Sequence, residues 1–229
     1  MRYDAILFDK DGTLFDFGGT WNVWAANLLK DLSGGDPALK QDLADRIHFD
    51  LDSVSFRPDS PVIAGTNREA SFLLQQGLPD RSIDDLDRFL AERAALAPLV
   101  PAVPLAGFLD SLAARSLRLG VMTNDAEISA HAQLRAAGVL ERFDFVAGAD
   151  SGHGAKPSPD PLLAFCRSVG VAPGRTVMVG DSTHDLIAGR AAGMTVVAVL
   201  TGPAEVAELQ PHADVVLPDI GHLPEWLDA

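Results

Sequence analysis

A short apolar run, Ala5-Ile6-Leu7-Phe8, stops at Asp9, and no comparable strand signal returns until Leu117. Four apolar residues in a row fit a strand buried on both faces whose C-terminal end opens at a site. What separates this strand from its successors is helical in pattern. Trp21, Trp24, Leu28 and Leu32 recur at three- and four-residue spacing, and Gly34-Gly35 stops the run. Asp36-Pro37 reads as an N-cap with a first-turn proline ahead of Leu39, Leu43 and Ile47. Thr66 to Glu69 has capping-box spacing, and Ser82 opens a fourth helix carrying Leu86, Phe89 and Leu90. Pro98, Pro101 and Pro104 then break the chain.

Beyond them the period alternates. A helix near 105–115 leads to a strand Leu117–Thr123, and strands follow at Phe143–Ala147, Thr176–Val179, Thr195–Leu200 and Asp214–Leu217, with helices between them. Strands spaced by helices of this length imply crossover units and a parallel sheet. The expected fold is therefore α/β, a doubly wound parallel sheet with an all-helical block inserted after its first strand. The expected division is a core of residues 1–18 and 97–229 and a cap of residues 19–96.

Composition narrows the function. Thirty-two acidic residues against eighteen basic ones give a formal charge of −14. That balance argues against general affinity for nucleic acid or anionic membrane. The single cysteine, Cys166, excludes an internal disulfide and fits a reducing compartment. Asp4, Asp9, Lys10, Asp11 and Asp16 interrupt any signal-peptide core, and no apolar run approaches the ~20 residues that span a bilayer. A soluble, cytoplasmic protein, monomeric or homodimeric, is expected.

In an open parallel sheet, ligands bind beyond the carboxyl ends of the strands. Those ends carry Asp9-Lys10-Asp11-Gly12-Thr13, then Thr123-Asn124-Asp125, a loop with Lys156, and Gly180-Asp181-Ser182-Thr183-His184-Asp185. Carboxylates converging on one rim repel one another unless a cation lies among them. Oxygen-only donors suit a hard ion such as Mg2+. A calcium loop is excluded because Thr13 and Leu14 stand where it needs Asp or Asn and then Gly; a P-loop is excluded because Pro157 follows Lys156.

Asp9-Lys10-Asp11-Gly12-Thr13-Leu14, Thr123-Asn124, Lys156-Pro157 and Gly180-Asp181 with Asp185 resemble, in order and at the corresponding strand ends, the four motifs of the haloacid dehalogenase superfamily. Within it the chain looks most like phosphoglycolate phosphatases and their sugar-phosphate phosphatase and mutase relatives. The resemblance implies a Rossmann-like core, a small helical cap, and Mg2+-dependent hydrolysis of a small phosphomonoester. By it, Asp9 is the nucleophile and Asp11 the general acid and base, with Gly12 letting the chain turn so that Asp11 reaches the leaving group. Thr123, Asn124 and Lys156 would hold the phosphoryl oxygens. The ion would be held by Asp9, the backbone carbonyl of Asp11 and Asp181, with Asp185 beside it as ligand or support. Arg68, in a segment similar to one that reads substrate in sugar-phosphate members, is a candidate specificity residue. The cap would close through Gly18-Gly19 and the 98–104 segment.

Other readings fit less well. A dehalogenase needs neither Asp11 nor a metal. A phosphonate hydrolase needs a cap lysine, for which only Lys30 and Lys40 are available. A receiver-like switch is shorter and has no helical insertion. A mutase shares all four motifs and stays open. His153, His184, Trp21 and Trp24 lie in segments that approach the same region.

Overall fold

The computed structural model describes residues 2–229. Six strands, β1 (Ala5–Phe8), β4 (Arg118–Met122), β5 (Phe145–Ala147), β6 (Thr176–Gly180), β7 (Thr195–Val199) and β8 (Val215–Leu217), form one sheet in the order β5-β4-β1-β6-β7-β8. Every pairing is parallel. From β1 the chain runs outward to β4 and β5, then returns to β6 on the opposite flank of β1. The loops leaving these strands diverge, and that is where such a sheet opens a crevice.

Between β1 and β4 lie helices α1 (Phe17–Ser33), α2 (Pro37–Arg46), α3 (Asn67–Gln75) and α4 (Ile83–Ala94), together with a hairpin of β2 (Phe49–Asp50) and β3 (Ser55–Phe56). The remaining helices are α5 (Leu105–Ala113), α6 (Glu127–Ala136), α7 (Asp160–Val169), α8 (Thr183–Ala192), α9 (Val206–Leu209) and α10 (Leu223–Asp228).

The alternation of β1 divides the core. Ile6 and Phe8 face α5 with Leu105, Leu109 and Leu112, whereas Ala5 and Leu7 face Leu162 and Phe165 of α7. The insertion buries a core of its own, built from Leu28, Leu29, Leu43, Phe49, Leu74 and Leu90. Its caps form as the sequence suggests: Asp36 accepts from Ala38 and Leu39, and Thr66 and Glu69 close a reciprocal capping box.

Two features differ from expectation. The insertion is not wholly helical, because Phe49 and Phe56 pair across the β2–β3 hairpin with ring centroids 5.1 Å apart. Two-residue strands are too short for a period of two to show in a sequence. Gly18-Gly19, expected as a hinge loop, lies in the first turn of α1, because Asp16 caps that helix by accepting from the Gly19 N–H. The two connections run side by side, with the Asp16 N–H donating to the Val100 carbonyl at 2.7 Å. A Cβ on Gly19 would come within 2.9 Å of the Val100 side chain, so glycine permits this approach.

Candidate active site

β1 delivers the site. The Asp9 N–H still donates to Val179 of β6, at 2.8 Å, so the carboxylate is fixed by the end of the sheet. The chain then turns sharply, with the Gly12 N–H on the Phe15 carbonyl and the Leu14 N–H on the Lys10 carbonyl. Gly12 has φ +84°, and a Cβ there would lie 2.2 Å from Asp181 Oδ2. Only glycine meets both demands, the backbone conformation and the contact with Asp181 at the end of β6.

Lys156 organises the buried charges. Its Nζ donates to Asp9 Oδ1 at 2.5 Å, to Asp185 Oδ1 at 2.6 Å and to the Met122 carbonyl at 2.9 Å. The other oxygen of Asp185 accepts from the Ser182 N–H and hydroxyl in the capping box of α8. Both Asp185 oxygens are thereby engaged, and the residue braces the lysine. Asp181 accepts a long side-chain bond, 3.3 Å, from the Thr13 hydroxyl.

Carboxylate oxygens of Asp9, Asp181 and Asp185 lie within 4.8 Å of one another. Burial, opposed by Lys156 and helped by Asp185 and Asp11, pushes the Asp9 carboxyl up to about 7. Burial likewise holds Asp181 well above the usual carboxylate range, with Asp9 and Asp185 adding to it. Burial by itself would lower Lys156; Asp185 and Asp9 outweigh it and keep the ammonium charged. Three buried acids share one buried lysine. All-oxygen donors with excess negative charge fit a hard divalent cation, and Asp9 and Asp181 are the side chains with capacity left to hold it.

The phosphate-binding candidates divide. Thr123 Oγ1 accepts from the Asp125 N–H at 3.1 Å, which leaves its proton to donate. The Asn124 carboxamide is committed: Oδ1 accepts from the Lys156 N–H, and Nδ2 donates to the Lys156 and Ala64 carbonyls, each at 2.9 Å. Its side chain therefore holds the lysine loop and a loop of the insertion in register, rather than offering a donor to a ligand.

A second buried lysine escapes sequence reasoning. Lys10 donates to Asp11 at 2.8 Å, to Asp125 at 3.3 Å and to Gln133, while its ammonium lies 5.3 Å from the Trp21 ring centroid. Gln133 in turn donates to the Ala94 carbonyl at the end of α4. Asp11, α6 and the insertion are thus tied through one cation. The only signal in the sequence is a lysine between two acids, which also reads as a solvated turn.

Between insertion and sheet lies a cavity of about 110 Å³, open to solvent, with Asp9, Asp11, Thr123, Lys156 and Asp181 on its floor. Trp21, Trp24 and His184 line it. His153 does not, and packs instead at 6.1 Å from the Phe145 ring. The structure does not bring Arg68 to this cavity. Its guanidinium pairs with Asp84 at 3.0 Å and Asp87 at 3.6 Å on the exposed face shared by α3 and α4. Cys166 is buried against Thr176, away from the cavity.

A parallel sheet with this acid and lysine cluster at its carboxyl rim, covered by an inserted cap, defines a class of hydrolase. The haloacid dehalogenase-like hydrolase family matches residues 3–193, and the chain belongs to it. It is 33% identical over 232 residues to a phosphoglycolate phosphatase of Rhodospirillum rubrum, spanning 97% of this chain and 90% of that one. To an N-acetylmuramic acid 6-phosphate phosphatase of Pseudomonas aeruginosa it is 28% identical, spanning 100% and 96%. Its fold is similar to the crystal structure of a predicted phosphoglycolate phosphatase from Haemophilus somnus 129pt, with a TM-score of 0.73 at 21% identity and 99% of each chain covered. No helix among the described residues is long and apolar enough to cross a membrane.

Proposed function

We propose that this protein is a Mg2+-dependent phosphatase that hydrolyses a small-molecule phosphomonoester through an aspartyl-phosphate on Asp9. The observation that carries the reading is the buried contact of Lys156 with both Asp9 and Asp185 at the floor of the cavity, with Asp181 beside them. An Asp9 oxygen attacks phosphorus, and the ester oxygen departs with the proton of Asp11. Water then attacks the phosphorus of the acyl phosphate and passes its proton to the Asp11 carboxylate, so that inorganic phosphate leaves and Asp9 is restored.

Phosphoryl transfer asks mainly for positioning and charge compensation. Lys156 orients Asp9 and carries positive charge toward the phosphoryl oxygens, and the Thr123 hydroxyl donates to them. Mg2+ held by Asp9, Asp181 and the Asp11 carbonyl would neutralise charge on those oxygens. Lys10 holds the Asp11 carboxyl at the floor of the cavity. Residues 19–96 serve as the cap and keep stray water from the intermediate. The enzyme works in the cytoplasm on a soluble substrate, as a monomer or homodimer.

The test is a phosphate-release screen of the purified protein over small phosphomonoesters, with Mg2+ or with EDTA. Release that needs Mg2+ and vanishes in Asp9→Asn is expected. No release from any ester, or full activity of Asp9→Asn, would reject the reading.

A further inference from the structure

The wall that the insertion gives to the cavity is hydrocarbon. Trp21, Trp24, Leu28, Phe56, Ile63 and Leu90 lie on it, and the two indoles pack edge to face with centroids 4.9 Å apart. No charged side chain of the insertion is among the described residues that line the cavity. The nearby cations are spent or absent: Lys156 is shared by Asp9 and Asp185, Lys10 is fully buried among Asp11, Asp125 and Gln133, and Arg68 is turned outward to Asp84. His184, which among the described residues also lines the cavity and can carry positive charge, comes from α8 of the sheet domain and not from this wall.

The polar groups of this wall are also occupied at home. Thr66 Oγ1 is bonded to Glu69, and the Asn67 carboxamide donates to the Asp87 carbonyl and carboxylate. Among the described side chains of this wall, only the Trp24 indole N–H is buried without a partner.

We propose that the substrate is the phosphomonoester of an apolar alcohol or phenol, its hydrocarbon group seated against Trp21, Trp24, Phe56 and Ile63 while the phosphoryl group meets Asp9. This rests on the phosphatase reading above and adds the class of leaving group. A carboxylate in the leaving group, as in 2-phosphoglycolate, would lose its water against this wall, which brings no cation of its own, beside the acids Asp9, Asp11 and Asp181 of the catalytic floor. A sugar would leave several hydroxyls unpaired, because the described side chains of this wall offer one free buried donor. An aryl or alkyl group loses nothing on entering and gains the aromatic faces.

The deciding experiment compares kcat/KM for benzyl phosphate and n-hexyl phosphate with that for 2-phosphoglycolate and glucose 6-phosphate, using the intact protein with Mg2+. The apolar esters are expected to exceed the other two by about 100-fold. Ile63→Arg, which adds a cation to the wall, is expected to shrink the benzyl phosphate preference over 2-phosphoglycolate about tenfold. Equal or better turnover of 2-phosphoglycolate or glucose 6-phosphate by the natural sequence would overturn the leaving-group assignment and leave the phosphatase reading standing. If no ester is hydrolysed, that reading falls separately. Quenching of tryptophan fluorescence by benzylphosphonate and by phosphonoacetate then decides the assignment: at least about tenfold tighter binding of benzylphosphonate upholds it, and equal or weaker binding overturns it.

Discussion

Replacing Lys156 by methionine removes one charge from a place where three acids depend on it. The methionine retains most of the apolar stem, so the change isolates the ammonium. Asp9 and Asp185 stay behind, with side chains 8% and 2% exposed. Stripping one partner from a buried ion pair costs about 3–5 kcal/mol. At about 2–4 °C of melting temperature per kcal/mol in a chain of this size, the loss is about 6–20 °C. Its pH dependence has a definite sign. Asp9 has a folded-state value of about 7 against an ordinary 3.8 for aspartate, so ionising it works against folding. That cost builds as pH rises from about 4 and levels off above the folded-state value. Without Lys156 the folded-state value rises further, so at pH 5 the carboxyl simply stays protonated. The gap between natural sequence and variant must therefore widen from pH 5 to pH 8. Thermal unfolding followed by circular dichroism in EDTA measures it at both pH values. A gap under about 2 °C at pH 8, or one larger at pH 5 than at pH 8, would refute the idea that this lysine neutralises the cluster.

Three further outcomes follow from the same geometry. Mg2+ at about 100 times its dissociation constant should stabilise the protein by about 2.7 kcal/mol, or about 5–11 °C. Differential scanning calorimetry should show that shift to be larger at pH 8 than at pH 5, since Asp9 binds a proton in place of metal at the lower pH and burial favours the same exchange at Asp181. Gly12→Ala places a Cβ 2.2 Å from Asp181 Oδ2 at a φ of +84°, and should abolish the Mg2+-induced shift in the same calorimeter even where the variant folds. Arg68→Ala, at an exposed ion pair, should leave kcat/KM unchanged on every ester that the protein hydrolyses; a substrate-selective rise in KM would return Arg68 to the cavity.

Where the site would lie was legible because it depends on strand order and strand ends. Apolar runs that end at Asp9, Thr123 and Asp181 place those residues at one rim once the sheet is parallel, whatever the details of packing. The helices of the insertion were legible for a similar reason, since Asp36, Thr66 and Ser82 act within a turn or two of themselves. What stayed hidden depends on partners far away in sequence. Lys10 meets Asp125 and Gln133 across 115 and 123 residues, and Asn124 spends its carboxamide on Ala64 and Lys156. Arg68 was ambiguous because the same capping segment presents side chains toward the cavity and toward α4, and only the packing of α3 on α4 chooses between them. The β2–β3 hairpin was hidden by its brevity. The apolar wall was in plain sight as Trp21, Trp24 and Leu28, but helical spacing alone cannot distinguish a lining from a core.

The covalent role of Asp9 admits one direct measurement. The protein is mixed with Mg2+ and an ester that it turns over, quenched in acid within the first turnovers, digested and analysed by peptide mass spectrometry. A phosphoryl group on Asp9, absent when the ester is omitted and absent in Asp9→Asn, is the expected result. Phosphate released while Asp9 stays unmodified and another residue carries the label would contradict it.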